Sequence, residues 1–333
     1  MKIADFAFAA DGNYVMPLRV AVASLLHACR HNPRPLTVHV LDLGISDSDW
    51  AALTVNWSSL MPSARFARHS VSAEKYAEYM VWNGSVAPYA RLELPMLLPD
   101  VEWCMYFDCD VWVMRDPAEL ERLCDDRLAM LGHVNFEPMT IRKDGPWLVE
   151  RGLPFDCKSY VCSGVVILNL AWFRRTGAWK SCFEFLSRYP NPVAVDQTVL
   201  NVVCFGHVGL LPSGWGEFSV EAVESGNLGC LHYSGPVPWR AHRGWFYFSG
   251  EQELEAAWRR FAVNYAGCKP EDFEELSGFR RAFDLSCAGL VKLVVKLTLL
   301  AGLCPETKKA RMRRFLRRGK IGLVERIEEE VFS

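Results

Sequence analysis

Residues 104–113 read Cys-Met-Tyr-Phe-Asp-Cys-Asp-Val-Trp-Val, and the expected fold can be worked out from this stretch. Its first four residues form an apolar run of strand length, Asp108 and Asp110 bracket a cysteine, and three apolar residues follow. Side chains two positions apart on extended backbone point to the same side. Ionised together at a strand end, the two carboxylates repel each other unless a cation neutralises them. Carboxylate oxygens suit Mg²⁺ or Mn²⁺, which commonly bridge protein acids to substrate phosphates.

The alternative is a solvated turn that contains two aspartates, and spacing alone favours it because Asp-x-Asp is a common pattern. The apolar runs on both sides of Asp108 and Asp110 favour a functional role instead. Charge in such surroundings is costly unless it has a partner.

Outward from this stretch, apolar runs alternate with amphipathic patterns along the first two-thirds of the chain. The patterns predict helices at residues 18–29, 47–60 and 171–188, and strands at 3–9, 37–43, 65–69, 104–107, 128–132 and 165–170. Strands that alternate with helices predict an α/β fold, a sandwich of helices around a mainly parallel central sheet. We expect a catalytic domain over residues 1–265 and a helical, basic C-terminal extension over residues 266–333.

Composition limits the class of protein. A net charge of −2 over 333 residues does not call for a nucleic-acid partner, and we expect none. The twelve cysteines include no Cys-x-x-Cys pair, and several lie in apolar runs, which is typical of reduced, buried thiols. The N-terminus lacks the pattern of a signal peptide, and Lys292 and Lys296 interrupt the longest apolar run. These features favour a cytoplasmic protein without a membrane span.

The end of the first predicted strand carries a second polar group, formed by Asp11, Asn13 and Tyr14. Open α/β sheets bind ligands at the carboxyl ends of their strands, so this group and the acids after residue 107 should share one edge. An acid and an amide can bind a uracil edge or ribose hydroxyls, and a tyrosine offers a stacking face. A plain turn that caps the next helix is the simpler explanation of the group alone. Neither the Asp11 group nor the stretch that follows residue 107 has a GxGxxG or P-loop motif.

Taken together, ordered blocks over roughly residues 3–240 resemble the family 8 glycosyltransferases, which are retaining enzymes with a GT-A-type fold that include bacterial lipopolysaccharide galactosyl- and glucosyltransferases. The blocks are Phe8-Ala9-Ala10-Asp11-Gly12-Asn13-Tyr14, His39-Val40-Leu41-Asp42 with Gly44-Ile45-Ser46, Tyr89-Ala90-Arg91-Leu92, Tyr106-Phe107-Asp108-Cys109-Asp110, the strand 163–170, Asp196-Gln197 and His232-Tyr233-Ser234-Gly235. Their order is more specific than any single block.

The resemblance implies a role for each matching position. Asp108, Asp110 and His232 would hold Mn²⁺, with Mg²⁺ as the alternative ion, against the diphosphate of a UDP-galactose or UDP-glucose donor. Asp196 and Gln197 would be the catalytic pair, with Gln197 near the anomeric carbon. The residues expected to bind the donor are Ala9, Ala10, Asp11, Asn13, Tyr14, Arg91, Asp108, Cys109, Asp110, Ser163, Gly164, Gly235 and Arg240.

Simpler roles exist for several of these residues taken one at a time. Arg91 could pair with Glu93, His232 could be a core histidine, and Asp196 with Gln197 could cap a helix. Function is preferred because the residues occur as a set. Two other functions stay open: a sugar nucleotidyltransferase, although no glycine-rich basic N-terminal loop is present, and a non-catalytic relative that binds nucleotide-sugar or glycan.

Two positions depart from the family pattern. Cys162 stands where the family usually has asparagine at the head of the sugar-site strand, which puts the identity of the donor sugar in doubt. Val237 stands where a lysine usually contacts the diphosphate, and Arg240 or Arg243 is the candidate replacement.

The C-terminus is strongly basic, with nine Lys or Arg against five Glu from residue 305 onward. Apolar residues lie among these charges, and such a segment favours docking on an anionic membrane surface. We therefore expect peripheral contact with the inner face of the membrane. The family resemblance implies that the saccharide acceptor is lipopolysaccharide or another lipid-linked glycan. The alternative is a solvated charged helix or a stretch that attracts nucleic acid.

Overall fold

The computed structural model describes residues 2–31, 34–134, 140–217, 228–233, 237–240, 252–275, 290 and 293–301. The described strands are β1 (Asp5–Ala10), β2 (Thr37–Asp42), β3 (Arg65–Ser70), β4 (Trp103–Phe107), β5 (Val111–Val113), β6 (Met130–Val134), β7 (Val161–Asn169), β8 (Val208–Leu210), β9 (Trp215–Glu217) and β10 (Cys230–His232). The described helices are α1 (Val15–Ala28), α2 (Asp47–Leu60), α3 (Leu94–Leu97), α4 (Gly145–Glu150), α5 (Leu170–Thr176), α6 (Ala178–Arg188), α7 (Val195–Val203) and α8 (Gln252–Asn264).

Seven strands form the main sheet, in the order β3-β2-β1-β4-β7-β6-β8. Strand β7 runs antiparallel to both of its neighbours, and every other adjacent pair is parallel. The predicted α/β architecture with a mainly parallel sheet is therefore confirmed. Four of the predicted strands lie next to one another at the centre of this sheet, namely β2, β1, β4 and β7. Their β-branched and aromatic residues fit a surface that is buried on both sides.

Both faces of the sheet are covered, as the alternation of side chains along β1 shows. Phe6 and Phe8 belong to a buried cluster that includes apolar side chains of α1 and α2. Ala7 and Ala9 belong to a second cluster, on the opposite face, that includes side chains of α6 and α7. This packing explains why β1 is apolar along nearly its whole length rather than alternating with polar residues.

One predicted helix is wrong in its extent. The pattern at residues 171–188 predicts a single helix, but the structure has α5 and α6 separated by Gly177. Gly177 has a φ of 74°, in the left-handed region that ends a helix and that glycine adopts without steric cost. A Gly at this point was the local signal for the break.

The sheet brings the ends of several strands to one edge. Strands β1 and β4 are parallel neighbours, so the residues after Ala10 and after Phe107 emerge side by side. Strand β7 is antiparallel to β4, which brings its beginning to the same edge. The backbone N–H of Asp108 donates to the carbonyl of Gly164 at 2.7 Å. This edge is where ligands bind in open α/β sheets.

A three-stranded sheet, in the order β5-β10-β9, continues directly from the acidic turn. Strand β5 begins one residue after Asp110, and its Val111 pairs with His232 in antiparallel register. The pairing brings a residue from far along the chain to the two aspartates.

The chain divides into two compact units, one formed by Met1–Phe218 with Asn227–His232 and the other by Ser219–Gly226 with Tyr233–Ser333. In the second unit, Trp258 of α8 packs against Trp239 and Phe273 at ring-centroid distances of 5.5 and 5.9 Å. Within the described part of the chain, no helix has the length and apolarity needed to span a bilayer. The basic cluster between residues 308 and 320 lies outside the described residues.

Candidate active site

Three side chains at this edge form a candidate metal centre. One ligand atom from each of Asp108, Asp110 and His232 lies within 4.8 Å of the other two. The Nε2 atom of His232 is 3.2 Å from Oδ1 of Asp110 and 3.7 Å from Oδ2 of Asp108. Two carboxylates and one imidazole are a donor set that divalent ions bind in proteins. The residues predicted to hold the metal are thus together, and their types fit one.

Gly164 leaves the space in which these ligands meet. A Cβ added at Gly164 would lie 2.2 Å from Cε1 of His232 and 2.7 Å from Oδ2 of Asp108. Real Cβ atoms do not approach other heavy atoms so closely. Any residue other than glycine at this position would therefore displace two of the three candidate ligands.

The electrostatics of the three side chains indicate an excess of negative charge. Burial by itself would lower the pKa of His232, but facing Asp110 raises that pKa well above its ordinary value. Asp110 thus favours the protonated form of the ring. A divalent ion would replace this positive charge and would bind the neutral imidazole.

Arg91 connects the candidate metal centre to the start of α7. Its Nη2 atom is 2.6 Å from Oδ1 of Asp108, its Nε atom is 3.0 Å from Oδ2 of Asp196, and its Nη1 donates to the carbonyl of Ser163. The guanidinium also lies 4.0 Å from the centroid of the Tyr106 ring. Only 1% of Arg91 is exposed, so its charge is buried against these two acids. One buried side chain therefore pairs with both acids.

The alternative pairing of Arg91 with Glu93 is not what the structure contains. Glu93 instead accepts from the Tyr76 hydroxyl and lies 3.0 Å from the Lys75 ammonium. Burial raises the pKa of Asp196 to about 6, even though Arg91 works in the opposite direction. Asp196 is therefore a carboxylate that is costly to ionise and depends on Arg91 for its charge.

The predicted nucleoside-binding loop lies beside the acidic turn. Asp11 Oδ1 accepts from the backbone N–H of Asn13 at 2.9 Å, which is the cap expected from a plain turn. Its Oδ2 also accepts from the Ser85 hydroxyl at 2.7 Å. The Cys109 thiol donates to the carbonyl of Ala9 at 3.3 Å, which joins this loop to the acidic turn. Ala10 is buried under the loop.

Gln197 lies in the first turn of α7 and contacts the head of β7. Its Oε1 accepts from the backbone N–H of Ser163 at 3.3 Å. At the position where the family pattern has asparagine, the Cys162 sulfur is 3.7 Å from Nδ1 of His232. The two catalytic candidates, Asp196 and Gln197, are both buried. They are more than helix caps, because each makes a side-chain contact beyond its own helix.

Sequence patterns missed four residues that build this region: Ser85, Asp144, Tyr160 and Thr198. No local pattern marks them, because each acts through a contact with a distant segment. Among the predicted donor-binding residues, Gly235 lies outside the described part of the chain. Arg240 belongs to the second unit, where its backbone N–H donates to the carbonyl of Val237 at 3.2 Å.

The family model described as Glycosyl transferase family 8 matches residues 5–242. The chain belongs to glycosyl transferase family 8. The predicted family is thereby confirmed, and the fold and family together make the protein a glycosyltransferase.

Solved structures of this fold support the same assignment. A crystal structure of the galactosyltransferase LgtC in complex with donor and acceptor sugar analogues is 25% identical, with a TM-score of 0.60 over 84% of this chain and 99% of LgtC. An active-site mutant of LgtC is 24% identical, with a TM-score of 0.64 over 80% of this chain and 98% of that one. A Haemophilus influenzae protein described provisionally as a glycosyltransferase is 21% identical and covers 70% of this chain and 71% of its own length. The predicted GT-A-type fold is confirmed.

Proposed function

We propose that this family 8 member is a metal-dependent, retaining hexosyltransferase that moves galactose or glucose from a UDP-sugar to a glycan acceptor. The observation that carries the proposal is the convergence of Asp108, Asp110 and His232 beside the Asp11 loop. Two oxygen ligands suit either Mg²⁺ or Mn²⁺, and the imidazole favours Mn²⁺ of the two.

The buried side chains around the candidate metal centre suit the breaking of a glycosidic bond to a diphosphate. With a divalent cation bound, negative charge that develops on the leaving diphosphate is stabilised by Lewis-acid chemistry. Arg91 and the Tyr106 hydroxyl both contact Oδ1 of Asp108, at 2.6 and 3.2 Å, which leaves Oδ2 facing His232. Positive charge that develops on the sugar ring is supported by the fixed polar groups of Asp196 and Gln197.

Because a carboxamide is a poor nucleophile, we propose that the acceptor and the leaving diphosphate share one face of the sugar, which retains the anomeric configuration. On this route Gln197 supports the reacting carbon and forms no bond to it. One of the LgtC structures carries a glutamine-to-glutamate change in its active site. That change is consistent with an active-site role for a glutamine, which Gln197 would supply in this chain.

The test incubates the protein with Mn²⁺ and each of a panel of UDP-sugars. Turnover of each donor is measured as the release of UDP in the absence of acceptor. We expect UDP-galactose or UDP-glucose to be hydrolysed slowly by the wild type. Asp110→Asn should abolish turnover while the protein still folds, and the exposed Asp100→Asn should be indistinguishable from wild type. Surviving turnover in Asp110→Asn would contradict the metal assignment. Pyrophosphate release would favour a nucleotidyltransferase, and tight UDP binding without turnover would favour a non-catalytic relative.

The acceptor is proposed to be lipid-linked, with the protein held at an anionic membrane surface by its C-terminal segment. The described part of this segment has apolar side chains that are at least half exposed, namely Leu290, Leu293, Val294, Leu297 and Leu300. Exposed leucines beside Lys296, followed in sequence by the basic cluster, are typical of a helix that lies in a lipid interface.

Sedimentation with vesicles tests this part of the proposal. The wild type should bind vesicles that contain anionic lipid and release at high salt, because basic residues contribute through screened attraction. The double variant Leu293→Asp, Leu297→Asp should lose binding by about tenfold or more, since both apolar contacts are replaced by like charge. Donor hydrolysis in solution should not change. Equal binding of wild type and variant would remove the support for membrane docking.

A further inference from the structure

A buried carboxylate lies close to Gln197 and has no role in the mechanism so far. Asp144 is fully buried, at the N-terminal end of α4. Its two oxygens accept from the Tyr160 hydroxyl and from Oγ1 of Thr198, the latter at 3.1 Å to each oxygen. Among the described residues, no Lys or Arg pairs with Asp144. Burial of a carboxylate against two hydroxyls alone is costly, so its presence calls for a function.

The direction of the hydrogen bonds follows from the donors available. A tyrosine hydroxyl has one proton, and Tyr160 donates it to the Asp144 carboxylate, the stronger acceptor. The oxygen of Tyr160 is then left as an acceptor, and it lies 3.5 Å from Nε2 of Gln197. At the other end of the carboxamide, the Ser163 backbone N–H is a donor only, and it faces Oε1 of Gln197 at 3.3 Å.

These two contacts determine which way the carboxamide of Gln197 faces. An amide rotated by half a turn would direct its NH₂ group at the Ser163 N–H and its oxygen at an acceptor, and both contacts would be lost. Oε1 therefore lies on the Ser163 side, at the head of β7. The next residue of this strand is Gly164, where an added Cβ would meet His232 and Asp108, so the negative end of the amide dipole is held at the strand that borders the candidate metal centre.

The backbone around Gln197 is held with similar firmness. Val195 has a φ of 43°, which is unusual for a β-branched residue and persists only where the surroundings enforce it. Asn201 ties α7 to β7: its side chain donates to the carbonyl of Val161 and accepts from the Val161 N–H, both at 2.8 Å. Its Nδ2 also donates to the backbone carbonyl of Gln197 at 2.8 Å. Strain at such a place is characteristic of a functional site.

We propose that Asp144 and Tyr160 are a positioning pair that holds the Gln197 carboxamide in one orientation, with its oxygen toward the head of β7, for its role beside the donor sugar. Asp144 directs the proton of Tyr160, and Tyr160 then selects one orientation of Gln197. This inference rests on the proposed function, because it deepens the role given to Gln197 in that reaction.

Tyr160→Phe removes the acceptor and leaves the ring in place. We expect kcat for donor hydrolysis to fall by about 10- to 100-fold with a change in KM below about threefold, because the carboxamide loses its orientation while the donor still binds. Asp144→Asn should lower kcat in the same direction. The matched control is Tyr76→Phe, which removes another tyrosine–carboxylate hydrogen bond, to Glu93, and should leave kcat unchanged.

Two readouts separate positioning from a general loss of structure. In a Gln197→Ala background, Tyr160→Phe should have no further effect on kcat, because its target is gone. The side-chain amide signal of Gln197, assigned by its absence in Gln197→Ala, should shift in Tyr160→Phe and not in Tyr76→Phe. Independent effects in the double variant, an unshifted amide signal, or a loss of kcat that merely follows a lower melting temperature would each overturn the inference. Absence of turnover by the wild type with every donor, together with a shifted amide signal, would overturn the proposed function and support the orientation of Gln197.

Discussion

The sharpest consequence of the site geometry concerns Gly164, which lies against two of the three candidate metal ligands. In Gly164→Ala, the new Cβ would lie 2.2 Å from Cε1 of His232, whereas ordinary contact begins at 3.4 Å. The ring must therefore move by about 1.2 Å, which is several times the roughly 0.2 Å tolerance of a metal–ligand distance. Asp108 would be displaced as well, because its Oδ2 lies 2.7 Å from the new atom.

We expect the Gly164→Ala variant to lose at least about 100-fold in affinity for Mn²⁺ and in kcat/KM, because ligation and donor positioning fail together. Mn²⁺ binding is measured by calorimetry without donor, and folding is followed by circular dichroism and thermal unfolding. Backbone strain is not the cause, because the φ of Gly164 lies outside the left-handed region.

The matched control is Gly209→Ala in β8. Its new Cβ would lie 2.7 Å from Cδ1 of Leu128, so it is also crowded, but against an apolar side chain. This variant should lower the melting temperature and retain Mn²⁺ affinity. Wild-type Mn²⁺ affinity in Gly164→Ala would refute the argument, because an ion bound by Asp108 and His232 could not tolerate their displacement.

Two further predictions concern the buried charges at the start of α7. Arg91→Met should lower the free energy of unfolding by about 3–5 kcal/mol in urea, because Asp108 and Asp196 lose the cation between them. The free energy of unfolding of Arg91→Lys should lie between those of wild type and Arg91→Met. Equal stability of Arg91→Met and wild type would contradict the role of this ion pair. Burial raises the pKa of Asp196 to about 6, so the native state holds this proton more tightly than the unfolded chain. The contribution of Asp196 to the free energy of unfolding is therefore greatest at low pH. It falls by about 3 kcal/mol as the pH rises from roughly 4 to 6. In metal-free buffer, the free energy of unfolding of Asp196→Asn should not show this decrease with pH. If the free energies of unfolding of wild type and Asp196→Asn changed in parallel with pH, the prediction would be contradicted.

Local sequence patterns determined the class of fold and the edge of the sheet that carries the site. The run before Asp108 is apolar at every position because both faces of β4 are buried, and that requirement is visible in the sequence itself. The Asp108–Asp110 spacing likewise follows from the geometry of extended backbone, and the ordered blocks indicated the family. The pattern at residues 171–188 predicted one helix where the structure has two, because Gly177 ends one helix and begins the next.

The tertiary structure alone decided how these pieces act together. Register between β5 and β10 brings His232 to Asp110. The family resemblance implied that the two residues share a metal ion, but no local pattern specifies the strand pairing that brings them together. Arg91 could have paired with its neighbour Glu93. In the folded chain it is buried, and its guanidinium pairs with Asp108 and Asp196 instead. Asp144 carries no motif at all. Its contacts depend on where separate segments pack in space, and periodicity along the chain reports only which face of an element is buried, not what that face meets.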